Sequence, residues 1–185
     1  LKGHIVSGAS TITQQLSRLT YPRKRTYYDK LVELIRSLRI EGLLDKEQIL
    51  ELYLNKVPLG NNLVGVKAGS MVYFGKILSR LTASEAALLA SLPKAPGKLN
   101  PYGRNAPLLI ERKNWVLNKM YINGHISFDI LNVSLQDTPI LKPKSFPFGA
   151  PHFINQVLPV SGNGNITTTI DLKLQSRVEQ ILKSH

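Results

Sequence analysis

Cysteine is absent from all 185 residues, which excludes disulfide staples and thiolate metal centres and leaves the redox compartment open. Histidine is sparse: His4, His125, His152 and His185 lie far apart, so no paired-histidine metal helix can be read, and no glycine-rich phosphate loop occurs. Long apolar runs are missing as well. Ala86 to Ala90 is among the longest, far short of the ~20 residues a membrane-crossing helix needs, and no basic segment followed by an apolar core opens the chain. Acidic residues are few, with 12 Asp+Glu against 24 Lys+Arg and a formal charge of +12. That excess points to an anionic partner such as nucleic acid, an acidic membrane surface or a phosphorylated substrate. What is present is a 43% hydrophobic chain, long enough for one domain with a substantial core or one domain plus part of another.

The pattern is mostly helical. Tyr28 to Glu41 places Leu31, Leu34, Ile35 and Leu38 at spacings of three and four, which predicts a helix burying that stripe. Asp45 with Gln48 reads as a capping box opening a second helix, with Ile49, Leu52 and Tyr53 inward and Asn55 near its end. Residues 57–69, VPLGNNLVGVKAG, read as an irregular connection into a helical segment ending near Tyr73-Phe74-Gly75-Lys76. Thr82 with Glu85 predicts another capped helix from Ala83 to Leu92, and helical periodicity resumes from Ile110 to Asn123. Leu131 to Gly164 carries Pro139, Pro143, Pro147, Pro151 and Pro159 without a sustained period and reads as an extended linker. Ile166 to Ile170 is β-branched and strand-like, and Asp171 is placed to cap a helix carrying Leu174, Val178, Ile181 and Leu182.

One catalytic pattern is dismissed at once. Ser91-Leu-Pro-Lys94 has the S-x-x-K spacing of serine acyl-transferases. Those residues need consecutive turns of one helix, and Pro93 interrupts it.

GASTITQQLSR at 8–18 sets four hydroxyls, two carboxamides and a cation close together. One hydroxyl suffices to cap a helix, and the others are either a solvated face or a set of donors for an anion. Three further blocks follow: DKLVELIRSLRIE at 29–41, DKEQILELYLNKVPLGNN at 45–62 and ERKNWVL at 111–117. In that order and spacing they resemble the glycosyltransferase family 51 (peptidoglycan transglycosylase) domain of bifunctional class A penicillin-binding proteins. That family's motifs read G-x-S-T-I-T-Q-Q-x-x-K, R-K-x-x-E-x-x-x-A-x-x-L-E, K-x-x-I-L-E-x-Y-L-N and R-R-x-x-V-L. VYFGK at 72–76, LTASEAALLASLPKAP at 81–96 and TTTIDLKLQ at 167–175 extend the likeness, and the GAS opening with APHF at 150–153 narrows it to one branch.

The resemblance implies a mainly α, lysozyme-like helical transglycosylase domain over residues 1–130, lacking its N-terminal part. A Pro-rich linker at 131–165 would follow, then at 166–185 the first strand and helix of a truncated transpeptidase domain. It implies polymerisation of lipid II, joining the donor's anomeric carbon to the 4-hydroxyl of an acceptor sugar and releasing undecaprenyl pyrophosphate with inversion. A pyrophosphate leaving group calls for cations and neutral donors where negative charge accumulates. By residue-for-residue match, Ser10, Thr11, Gln14 and Gln15 belong to the donor-cleft block, and Arg18 stands where the family has Lys. The spacing of Ser10, Gln14 and Arg18 by fours is that of one helix face. Glu33, thirteen residues before Lys46 and eight before Glu41, takes the place of the family's second catalytic carboxylate. Lys30 matches the motif's Lys, while Asp29 replaces its Arg. Lys46, Asn55, Arg112 and Lys113 match the remaining binding positions, with a helix terminus as the alternative for Asn55 and packing for Arg112 and Lys113.

The family's principal base lies in an E-D-x-x-F-x-x-H-x-G motif that precedes the Ser/Thr/Gln block. No Asp or Glu occurs before Asp29, so this stretch of chain is expected to have little activity by itself. No resident cofactor is implied, a divalent cation (magnesium or manganese) assisting the pyrophosphate is left open, and so is transpeptidase activity in the parent. Implied partners are lipid II, the growing glycan, the membrane surface and other cell-wall synthesis proteins, with no nucleic acid. The implied place is the periplasmic or external side of the cytoplasmic membrane, with the anchor outside these residues. Two other readings compete. A lytic transglycosylase or muramidase would share the fold and cleave finished glycan with a carboxylic acid, a task that needs no cation cluster. A nucleic-acid module would use the +12 charge and the Tyr21 to Tyr28 run, YPRKRTYY, and would bind with steep salt dependence.

Overall fold

A computed structural model describes residues 10–22, 26–143 and 169–183. The chain divides into two compact units, Leu1–Lys144 and Ser145–His185. Among the described residues the secondary structure is helical, with an isolated Pro58 to Val64 bridge as the β pairing. In the first unit the helices are α1 (Ile12–Thr20), α2 (Tyr27–Leu43), α3 (Lys46–Lys56), α4 (Val66–Tyr73), α5 (Ala83–Ser91), α6 (Ala106–Ile122) and α7 (Phe128–Gln136), with 3₁₀ turns at Leu78–Arg80 and Leu92–Lys94. The second unit contributes α8 (Leu172–Lys183).

Local chemistry sets the helix starts. Thr11, Asp45 and Thr82 each accept a backbone N–H three residues on while a Gln or Glu side chain returns the bond, three complete capping boxes. Thr26 and Ser127 cap α2 and α7 with a single side-chain acceptor, and the Asp171 carboxylate accepts from Lys173 and Leu174 at the start of α8. The boxes at Asp45 and Thr82 and the Asp171 cap stand where the sequence placed them.

The connection after α3 is a tight loop. Gly60, Asn61, Asn62 and Gly65 all have positive φ, and a Cβ on Gly65 would lie 2.7 Å from the Asn55 carbonyl oxygen, so glycine is required there on conformation and on space. Tyr73 locks this loop by donating to the Leu59 carbonyl at 2.9 Å. Ser91 is buried and donates to the Ala87 carbonyl at 2.7 Å, and Pro93 lies in the 3₁₀ turn that follows, so the S-x-x-K reading fails on geometry as well.

Packing falls into two parts. α5, α6 and α7 close on a core of Ala87, Leu117 and Leu131, flanked by Ala83, Val116, Ile126 and Leu135. α1 packs against both α2 and α3 and buries Thr13, Leu16 and Ser17.

Three expectations are corrected. First, the α2 stripe points outward: Leu31, Leu34, Ile35 and Leu38 are 55%, 41%, 52% and 60% exposed. The buried residue of α2 is Ser37, whose hydroxyl donates to the Leu34 carbonyl. On α3, likewise, Leu52 is exposed where Ile49 is buried. Second, residues 131–136 are helical rather than linker, because Leu131 enters the core and Ser127 caps the helix that carries it. Third, Ser10 precedes the Thr11 cap and so lies off the helix that carries Gln14 and Arg18. The strand expected at 166–170 lies largely outside the described residues, and Thr169 and Ile170 are not in a strand.

Candidate active site

The Ser/Thr/Gln block turns out to be partly cap and partly cleft. Thr11 is the N-cap of α1: its hydroxyl accepts from Gln14 N at 3.2 Å and its N–H donates to Gln14 Oε1 at 3.3 Å. Gln14 nevertheless lines a shallow cavity of about 270 Å³ with Lys30, Leu31, Glu33 and Leu34 of α2. A carboxamide, an ammonium and a carboxylate are thus brought together from two helices. Lys30 is exposed and Glu33 half-buried, so both are open to a ligand. Arg18 is exposed in the last turn of α1.

Gln15 faces α3. Its amide donates to the Ser10 carbonyl at 3.5 Å and its Oε1 accepts from the Tyr53 hydroxyl at 3.3 Å. Burial pushes the Tyr53 phenol pKa up, and the nearby Arg18 charge pulls it partly back. Tyr53 was legible only as an inward residue of α3, because nothing local signals a partner 38 positions away. Arg36 was missed altogether. Its guanidinium sits 4.7 Å from the centre of the Tyr21 ring, a cation–π contact tying α2 to the end of α1.

Asp29, which stands where the family motif has Arg, is tied to the start of α2. Its N–H donates to the Thr26 hydroxyl at 3.0 Å, and that hydroxyl donates to the Asp29 carboxylate at 2.6 Å. A carboxylate in the first turn of α2 also complements the helix dipole.

Other candidates are not in this cavity. Lys46 lines a second, larger depression of about 710 Å³ with Ile12, Thr13, Glu41, Leu44, Asp45, Ile49 and Leu50. Asn55 is exposed in the last turn of α3, with its carbonyl against Gly65. Arg112 and Lys113 lie on α6, which packs against α5 and α7. The Arg112 guanidinium lies 3.8 Å from the centre of the Trp115 ring, and its buried Nε has no hydrogen-bond partner.

Lys113 is fully buried and donates to the Asp137 carbonyl at 2.6 Å, the Ser134 carbonyl at 3.0 Å and the Ser84 hydroxyl at 3.3 Å. All three ammonium donors are thus used internally, which corrects its assignment to substrate binding and gives it a packing role. Burial lowers its pKa, with the Asp137 charge acting in the opposite sense.

Against known families, the model described as Transglycosylase matches residues 1–121. The chain belongs to the transglycosylase family. It is 39% identical over 182 residues to penicillin-binding protein 1C of Escherichia coli K12, covering 98% of this chain and 24% of that protein. Penicillin-binding protein 1A of the same strain is 38% identical over 197 residues, covering 99% and 23%, so identity does not separate the two branches. A crystal structure of penicillin-binding protein 1A from Haemophilus influenzae superposes with a TM-score of 0.51 at 27% identity, covering 89% of this chain and 22% of that one. The transglycosylase chain thus spans about a quarter of the length of these relatives.

Proposed function

We propose that this chain is the donor-binding part of a peptidoglycan glycosyltransferase, which takes a polyprenyl-pyrophosphoryl disaccharide, lipid II, and lengthens glycan strands with release of undecaprenyl pyrophosphate. The observation that carries the reading is the cavity shared by Gln14, Lys30 and Glu33. Lys30 supplies positive charge to a pyrophosphate leaving group and Gln14 a neutral donor. As the bond from the anomeric carbon to the pyrophosphate oxygen breaks, positive charge grows on the sugar ring, and the Glu33 carboxylate stabilises it. The acceptor 4-hydroxyl attacks from the opposite face, giving inversion, and its proton must pass to a base.

Among the described residues Glu33 is the one carboxylate lining this cavity, and no Asp or Glu precedes Asp29. We therefore expect the 185 residues alone to bind donor and to polymerise it poorly. Among the described residues no group of three His, Asp or Glu converges on a metal position.

Leu31 and Leu34 belong both to the cavity wall and to the exposed α2 stripe. A donor carried on a polyprenyl chain arrives from a bilayer, and that stripe is the surface that meets it, on the periplasmic or external side of the membrane. No helix among the described residues is long and apolar enough to cross a membrane. Residues 166–185, with α8 as their helix, are read as the opening of a transpeptidase domain.

The test is a binding comparison between lipid II and finished, lipid-free glycan. Saturable binding of lipid II, competed by inorganic pyrophosphate, is expected. Preference for finished glycan would replace this reading with a lytic one, and salt-sensitive binding to DNA alone would replace it with a nucleic-acid module.

A further inference from the structure

We infer that Tyr53 is a positioning residue for the donor site, acting through Gln15 on the segment that carries Ser10 and Thr11. The inference rests on the donor-binding reading above and adds a residue from a third helix to it.

The geometry is a chain of two bonds. The Tyr53 hydroxyl on α3 donates to Gln15 Oε1 at 3.3 Å, and Gln15 Nε2 donates to the Ser10 carbonyl at 3.5 Å. A carboxamide has a distinct acceptor end and donor end, so a donor fixed at the oxygen settles which way the amide faces. With Tyr53 donating, the NH₂ end is left for the Ser10 carbonyl. Without it, the amide is free to turn over and present oxygen to oxygen. The bonded groups are part-buried, so this orientation is set by the protein rather than by bulk water. A phenol, with an ordinary pKa of about 10, is protonated and therefore able to donate at neutral pH.

The consequence falls on the entrance to α1. Ser10 precedes the N-cap, so no intrahelical bond holds its carbonyl, whereas Thr11 and Gln14 are held by the capping box. Gln14 is at once a member of that box and a wall of the Lys30/Glu33 cavity. Fixing Ser10 therefore fixes the turn from which Thr11 and Gln14 present their groups. α3 thus sets the α1 side of a cavity whose other wall is α2.

Tyr53→Phe removes the hydroxyl and leaves the ring that packs α3. Two readouts on the 185-residue chain test the inference. In ¹⁵N-resolved NMR without ligand, Tyr53→Phe is expected to shift the Gln15 side-chain amide and the Ser10 and Thr11 backbone amides, while the melting temperature stays close to that of the parent sequence. In titrations with lipid II, Tyr53→Phe and Gln15→Ala are each expected to weaken binding by about three- to tenfold, and the double variant to be no weaker than the weaker single. An unmoved Gln15 amide, or losses that multiply in the double variant, would overturn the positioning role. If the unmutated chain binds no lipid II, the donor-binding reading fails, and the NMR arm still decides whether Tyr53 orients Gln15.

Discussion

Helices α2 and α6 are both 17 residues long, and they are buried differently. Both leave apolar side chains exposed, Leu108 and Ile122 among them on α6, but α6 buries Leu109, Lys113 and Leu117 at 1%, 0% and 0% exposure, whereas α2 buries Ser37 alone and leaves its whole apolar stripe 41% to 60% exposed. Each has a lysine inside a motif that suggests phosphate chemistry. Lys113 uses its three donors on protein oxygens, and Lys30 keeps its ammonium beside an open cavity. A lysine's family position thus does not decide its role. What decides it is whether neighbouring helices complete its shell.

The comparison breaks most readily at the core. Leu117→Ala is expected to cost about 3 to 4 kcal/mol by cavity formation, and Lys113→Ala about 3 kcal/mol by orphaning buried oxygens. Their α2 counterparts, Leu34→Ala and Lys30→Ala, should each change stability by no more than about 0.5 kcal/mol. Urea denaturation of the four variants checks this, and equal costs on the two helices would erase the distinction. Next in size are the caps. Thr82→Ala and Thr26→Ala should each cost about 1 kcal/mol, and circular dichroism melts should show the Thr82 change lowering the whole transition, because α5 belongs to the core.

The smallest effect is on alkaline stability. Burial raises the pKa of Tyr53, Tyr73 and Tyr102, so the unfolded chain releases phenolic protons first. Their contribution is fully present below the unfolded value of about 10 and is lost as pH rises through the folded values. Lys113 acts with the opposite sign. Its folded pKa is lowered, so the unfolded state holds more protons between that value and about 10.4, and stability gains there as pH rises. Melting temperature against pH should therefore fall above pH ~10, and less steeply in Tyr102→Phe, which removes one of the three phenols.

The sequence was most legible where structure is local. The boxes at Asp45/Gln48 and Thr82/Glu85 and the Asp171 cap each need only residues within one turn, and each formed. The helix Phe128–Gln136 was masked by the prolines that follow it, although Ser127 and the Leu131/Leu135 spacing carried the cue. The direction of α2 was illegible for a different reason. Periodicity reports which side of a helix is apolar, and it is silent on what packs there. Gln14, Lys30 and Glu33, named from the motifs, line one cavity, while the commitment of Lys113 to Ser84, Ser134 and Asp137 depends on oxygens 21 to 29 residues away. Tyr53 reached Gln15 in the same nonlocal way.

The most direct test of the donor site is the affinity of this chain for lipid II measured for the parent sequence, for Lys30→Ala and for Lys98→Ala, an exposed lysine in the loop before α6. The account predicts a loss of about tenfold or more for Lys30→Ala, as expected for a charge-assisted contact, and an unchanged affinity for Lys98→Ala. Equal affinities for all three would contradict it.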